Sequence, residues 1–257
     1  MSQINLAGAN LSGADFRDAD LSGADLYGAD FSHACLRGAD FHRANLSRAD
    51  LRCVDLTGAN LVGAYFIDAN LRDADLTGAD LSGACLRGAN LRGVNLTDAN
   101  LTGADFHYAD LRGVDLRGVN LTGADLHGVD LTSADLSRAN LCGADLSSAD
   151  LRGARLRGVD LRGVNLAGAN LIDADLAGAK GIRSAGPIGA EGRTIYAVAC
   201  HDGPRIYAGC FTGTVAEMIS MVEERYADGT SREQYRSSYL AAVAFVAAVG
   251  TSNPENP

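Results

Sequence analysis

Residues 74–93 read ADLTGADLSGACLRGANLRG, four five-residue units in which Leu76, Leu81, Leu86 and Leu91 recur at a fixed interval. The same interval holds outward in both directions. Every fifth residue from Leu6 to Leu176 is Leu or Phe, with Phe at 16, 31, 41, 66 and 106, which makes 35 units without an insertion. Two positions earlier stands a small apolar residue, almost always Ala, with Val at 54, 94, 114, 119, 129, 159 and 164 and Ile at 4. Asp or Asn lies between them except at Cys35, Tyr65, Cys85 and Arg155, and 22 of the 35 units close on Gly.

This period excludes an α-helix. A step of five residues turns a helix by about 500°, so the leucines would spiral over every side and bury none. In extended chain, residues two apart point the same way. Ala and Leu then face one interior, while the intervening Asp or Asn and the residue after Leu face water. Gly closes each unit because it tolerates the backbone of a tight corner. The expected product is a coil wound round a thin core of stacked Leu and Ala, and the composition agrees: 31 Gly, 6% aromatic residues and no Trp cannot fill a wide interior.

A net charge of −10 disfavours nonspecific attraction to nucleic acid or to an anionic membrane. No basic-then-apolar leader and no apolar run of about 18 residues occurs, so a cytoplasmic location is expected. Six cysteines without CxxC spacing read as reduced thiols. No acid–base pair, phosphate loop or metal-ligand spacing stands in a concave context, which points away from an enzyme and calls for no cofactor.

Runs such as Ala104-Asp105-Phe106 and Ala144-Asp145-Leu146-Ser147-Ser148 resemble the pentapeptide-repeat family over about 70% of the chain. The resemblance implies an all-β solenoid, a right-handed quadrilateral parallel β-helix with 20 residues per coil. Thirty-five units make about nine coils, roughly 40 Å of rod at ~4.8 Å per coil. The best-known functional branch of that family resembles duplex DNA and blocks or protects DNA gyrase.

A 20-residue coil sorts the outward residues after Leu into four ladders. One carries Arg52, Arg72, Arg92 and Arg112, four successive like charges that need neutralising. Asp50 and Asp110 flank the outer two, but Asn70 and Asn90 stand beside the inner two. This stripe is expected to meet an acidic partner surface. Val62, Tyr65 and Ile67 form an apolar exception suited to a local contact. His107 and His127, beside Asp105 and Asp125, have the residue types of a metal site, although such pairs are more often plain surface residues, and no metal is assigned. Asp20, Asp40, Asn60, Asp80, Asn100, Asn120, Asn140 and Asp160 form the ladder least opposed by arginine; half of it is uncharged, and a DNA mimic needs a continuous acidic row.

The periodicity ends at Lys180. Residues 181–193, rich in Gly with one Pro, read as a linker after a rod at 1–180. A small α+β domain is expected over 194–250, with a disordered tail at 251–257. Thr194–His201 and Arg205–Cys210 read as a β-hairpin turning at Asp202-Gly203-Pro204, a register that sets Cys200 opposite Ile206. Thr214 three residues before Glu217 is a capping box for one helix, and Ser231 with Gln234 opens a second. A nucleophilic Cys210 with His201 as base is weighed and set aside, because nothing in that register brings them together.

Leu240–Val249 is apolar all round and is expected to pack on the rod end or on another copy. The repeat is already in phase at Ile4, so the first coil, with Ile4 and Leu6, is expected to be covered by a second copy, a tail domain or a partner. Ile4, Leu6, Leu240, Val243, Phe245, Val246 and Val249 are the candidate oligomerisation residues. The sequence thus points to a non-enzymatic protein-interaction scaffold with an unidentified protein partner, the rod a spacer or docking surface and the small domain for oligomerisation or attachment. A larger assembly such as a phage particle would suit it. The alternative is a DNA mimic acting on gyrase or another topoisomerase; direct nucleic-acid or membrane binding is not expected.

Overall fold

The computed structural model describes residues 4–188, 193–200, 203–208, 211–225 and 236–247. Over 4–180 the central residue of one unit pairs in parallel with the residue 20 positions on, from Asn5 with Asp25 to Asp160 with Lys180. The coil is therefore 20 residues, four units. Leu and Phe from Leu21 onward, with the Ala or Val two residues before each from Ala24 onward, form one buried core. In the first coil Leu6, Leu11 and Phe16 are only half-buried and Ile4 is 43% exposed.

One unit shows how the chain satisfies its backbone. In Ala79–Gly83, the Ala79 N–H closes a turn on the Leu76 carbonyl at 3.0 Å, and the Asp80 N–H reaches back a coil to Ala59 at 3.0 Å. The Leu81 and Gly83 N–H groups reach forward to the Asn100 and Thr102 carbonyls at 2.8 and 3.0 Å. That leaves the Ser82 N–H, which donates to Asp80 Oδ1 at 2.9 Å. All five donors are used, as a close-wound backbone requires. The central Asp or Asn thus does more than face water: it supplies the one acceptor the coils do not. The last position of all 35 units has a left-handed backbone, at φ +55 to +73°, including the 13 that are not Gly.

Among the described residues the ladder opens at two places: the N–H groups of Leu141, Gly143 and Asp160 lack their inter-coil bonds and the Asn140–Asp160 bridge is missing, and a wider opening lies nearer the middle of the rod. Between residues 93–99 and 112–120, the N–H groups of Gly93, Leu96, Asp98, Asp115 and Asn120 lack the inter-coil bonds made by their counterparts in regular coils, among the described residues. The Asn95–Asp115 bridge is likewise missing there. Val94 and Val114 stack at a position that is Ala in most units, as do Ala99 and Val119. Val94 on Val114 puts two β-branched side chains in successive coils, and a shallow groove lined by Thr97, Asp98, Asp115, Arg117, Arg138 and Arg157 lies over the gap.

Beyond the rod, β1 (Ile182–Ile188), β2 (Arg193–Cys200), β3 (Gly203–Ala208) and β4 (Phe211–Thr214) form an antiparallel sheet in that order, followed by α1 (Val215–Arg225) and α2 (Arg236–Ala247). The segment expected to be a linker therefore contains a strand. Pro187 is accommodated because β1 is an edge and its pairing shifts register between Ala185 and Ile188. The hairpin register also differs: Cys200 pairs with Gly203, and Ile206 with Ala197. Only residues 201–202 separate the strands, a tighter turn than the three-residue one read from the sequence.

The capping box is present. Thr214 Oγ1 accepts from the Glu217 N–H at 3.2 Å, and Glu217 Oε2 accepts from the Thr214 N–H at 2.7 Å. Ala197, Ile206, Met218, Val222, Tyr239, Ala242 and Val243 close a small core. No helix among the described residues is long and apolar enough to cross a membrane.

Candidate functional site

The rod's four sides differ only in their outward residues. The arginine side is largely self-neutralised. Arg52 grips Asp50 through two bonds at 2.8 and 2.6 Å, Arg112 grips Asp110 in the same way, and Arg152 grips Asp150. Arg72, beside Asn70, turns instead to Asp73 at 3.2 Å. Only Arg92 of the four expected contact arginines makes no ion pair among the described residues. The guanidiniums hold the Asp50, Asp110 and Asp150 carboxyls below the usual carboxylate range by hydrogen bonding. Asp160 is lowered to about 2 by the same contact from Arg162.

Tyr65 and Ile67 lie on another side, and the structure adds to them. Of the five large apolar side chains that are exposed among the described residues, Tyr27, Tyr65, Ile67 and Tyr108 all belong to this side. Val62 stands half-buried around the corner. Arg48 lies over the Tyr27 ring at 5.8 Å. Tyr108 was not legible as a surface residue of this kind, because it occupies the position of the corner Gly. Its ring lies across Gly128, where a Cβ would collide with it. It meets His107 edge-on at 4.4 Å and His127 at 5.8 Å, and the two imidazoles stack at 4.6 Å.

Two of the four departures from Asp or Asn, Tyr65 and Cys85, are paired neighbours on this same side. Neither supplies the carboxylate or amide oxygen that elsewhere accepts the N–H two residues on. Asp105 Oδ2 takes Arg87 Nε at 2.8 Å and lies 4.0 Å from Cys85 Sγ. Burial pushes the Cys85 thiol above its usual range.

The oligomerisation candidates scatter. Val243 is fully buried in the small domain's own core, so it presents no surface, and Leu240 packs partly against that core. The helix that reads as apolar all round buries Tyr239, Ala242 and Val243 on its own sheet and first helix, which is the reason for the difference. The side chains of Phe245 and Val246 and the whole of Val249 lie outside the described residues, as do His201 and Cys210.

Charge is spread rather than striped. Counting Asp against Arg and Lys over residues 4–180, the Tyr65, Arg92, Thr77 and Asp80 sides carry −3, −2, −2 and −1. Each ladder is interrupted by Asn or by a paired arginine.

No curated protein matches the chain. Among solved structures, similarity extends to HetL, a pentapeptide repeat protein involved in heterocyst differentiation regulation from the cyanobacterium Nostoc sp. strain PCC 7120. It is 36% identical over 69% of this chain and 89% of that one, with a TM-score of 0.33. A trypsin-treated form of QnrB1, a plasmid-mediated fluoroquinolone resistance protein, is 26% identical over 68% of this chain and 86% of that one, with a TM-score of 0.38. The model of pentapeptide repeats matches in eight copies between residues 4 and 180, and with the 20-residue coil and its five-residue units already seen, the chain belongs to the pentapeptide-repeat family of right-handed β-helix solenoids.

Proposed function

We propose that this protein is a non-enzymatic interaction scaffold whose rod, about nine coils long, docks a protein partner along the side that carries Tyr27, Tyr65, Ile67 and Tyr108. The observation that supports this reading is the gathering of exposed aromatic and apolar side chains on one side of an otherwise polar rod. Exposed aromatics on a rigid surface supply contact area at little conformational cost and recur as anchors of protein interfaces. Arg52, Arg72, Arg92 and Arg112 border this side, and Arg92 is the member with charge to offer an acidic rim. The small domain serves attachment or assembly through surfaces other than Val243.

The DNA-mimic reading is the weaker one, since −1 to −3 per side gives no continuous negative row to stand in for phosphates. A photo-crosslinking residue placed at Ile67 in the producing cell should join the rod to a protein, while the same residue at Thr122 on the Asp80 side should not. Equal crosslinking from both positions, or from neither, refutes the proposed docking side. Inhibition of purified gyrase at stoichiometric protein would favour the mimic instead.

A further inference from the structure

On the same side of the rod, Asp105, His107 and Asp125 bring one carboxylate oxygen, one ring nitrogen and a second carboxylate oxygen within 4.8 Å of one another. The coil geometry fixes all three. Asp105 and Asp125 are paired across adjacent coils, and each carboxylate is held by the N–H two residues on, at 3.0 Å in both cases. His107 follows Asp105 by two and stacks on His127.

A second observation is independent of that clustering. His107 Nδ1 is shielded from solvent and has no hydrogen-bond partner, whereas the equivalent Nδ1 of His127 is bonded to Ser147 Oγ at 2.8 Å. A shielded imidazole nitrogen without a partner is costly and stands out among native polar groups. The Asp105 and Asp125 carboxylates, which come within 4.8 Å of a nitrogen of this ring, retain free lone pairs. Tyr108 closes over the histidines from the edge and is seated by the bare backbone of Gly128.

We propose that Asp105, His107 and Asp125 bind a divalent transition-metal ion of the zinc class. His107 contributes a ring-nitrogen lone pair, the two aspartates contribute one oxygen each, and water completes the shell. Imidazole with carboxylates is a donor set for such ions rather than for calcium or magnesium, which take oxygen ligands alone. Arg87 is the opposing charge. Its side chain is half exposed and holds Asp105 Oδ2, so it can swing to solvent when the ion enters. The inference stands whether or not this side docks a partner; if it does, the ion would present open positions to a ligand from that partner.

The test is calorimetric titration of the chelator-treated full-length protein with zinc chloride, with cobalt chloride as an absorption probe. One saturable zinc site per chain is expected, weakened at least tenfold by His107→Ala and by Asp125→Asn, the loss typical of disturbing a built metal site. His42→Ala, on the Asp80 side, should bind as the parent does. Circular dichroism verifies that each variant keeps the rod, and His107→Gln serves if the Ala variant does not. No saturable zinc binding, equal affinity in the parent and the His107 variant, or calcium binding as tight as zinc overturns the proposal.

Discussion

Removing one carboxylate from the wall of a coil tests the account of why the central position is Asp or Asn. Asp80 Oδ1 accepts from the Ser82 N–H at 2.9 Å and from Asn100 Nδ2 at 3.1 Å. In Asp80→Ala both donors lose their partner. Each such bond contributes about 1 kcal/mol net, so the local loss is about 1–2 kcal/mol, which is roughly a 5- to 30-fold rise in the opening equilibrium of that coil. Asp80→Asn keeps an oxygen in the same place and should stay within about 0.5 kcal/mol of the parent. A stack of coils need not unfold as one unit, so amide hydrogen exchange is the suitable assay. The Leu81, Ser82 and Gly83 amides should lose protection in Asp80→Ala and retain it in Asp80→Asn, with distant coils unchanged. Unaltered protection in Asp80→Ala would refute the acceptor role, and equal loss in both variants would show that charge, not the acceptor, is what matters.

The gap between residues 93–99 and 112–120 should make the amides of Leu96, Asp98, Asp115 and Asn120 the fastest-exchanging of their type in the middle of the rod, and the paired change Val94→Ala with Val114→Ala should slow them. Leu91 is fully buried; Leu91→Ala should cost about 2–5 kcal/mol, seen as a loss of protection in its own and adjoining coils before the ends of the rod. Arg138 sits at φ +61° without the freedom of Gly; Arg138→Gly should raise stability by roughly 0.5–1 kcal/mol in denaturant melts, partly offset by the looser unfolded chain. Acid should act late. Asp15 and Asp160 are lowered to about 2 by arginine hydrogen bonds, so their contribution is complete above the unfolded carboxylate range and is lost only as pH falls from about 4 through 2. Melts of Arg162→Gln should therefore differ from the parent at pH 6 and converge with it near pH 2.

How much of this was open to reading follows from where the determining interactions lie. The interior was legible because the five-residue interval from Leu6 to Leu176 admits one way of burying Leu and Ala together. The bond from each central oxygen to the N–H two residues on is equally local and could have been derived from the Asp and Asn at that place. Arg52 and Arg112 could be paired with their aspartates by spacing, but Arg72 turned to Asp73, a choice made by rotamers. β1 was hidden because Gly186 and Pro187 carry the composition of a loop, and only its place at a sheet edge makes them tolerable. Tyr108 is illegible for a related reason: the last position of a unit reads as a corner, and nothing in the spacing shows that a corner residue reaches across the next coil.

One side of the rod carries costs that folding alone does not explain. Tyr65 and Cys85 forgo the oxygen that other units use, in two successive coils. Tyr108 accepts a left-handed backbone at φ +57° that Gly occupies in most units, and it relies on Gly128 to leave room for its ring. His107 leaves a shielded nitrogen without a partner. A monotonous repeat offers a cheaper residue at every one of these positions, and the neighbouring coils show it in use. Tyr65, Cys85 and the His107–Tyr108 pair fall on one side in consecutive coils, whereas the other two departures from Asp or Asn, Cys35 and Arg155, stand six coils apart on the Thr77 side; clustering of the first kind is what a binding requirement would produce. Replacing Tyr65 and Cys85 by Asp and Tyr108 by Gly should accordingly give a rod more stable than the parent in the same denaturant melt, and one that no longer holds its partner. A less stable triple variant would mean that these residues serve the fold.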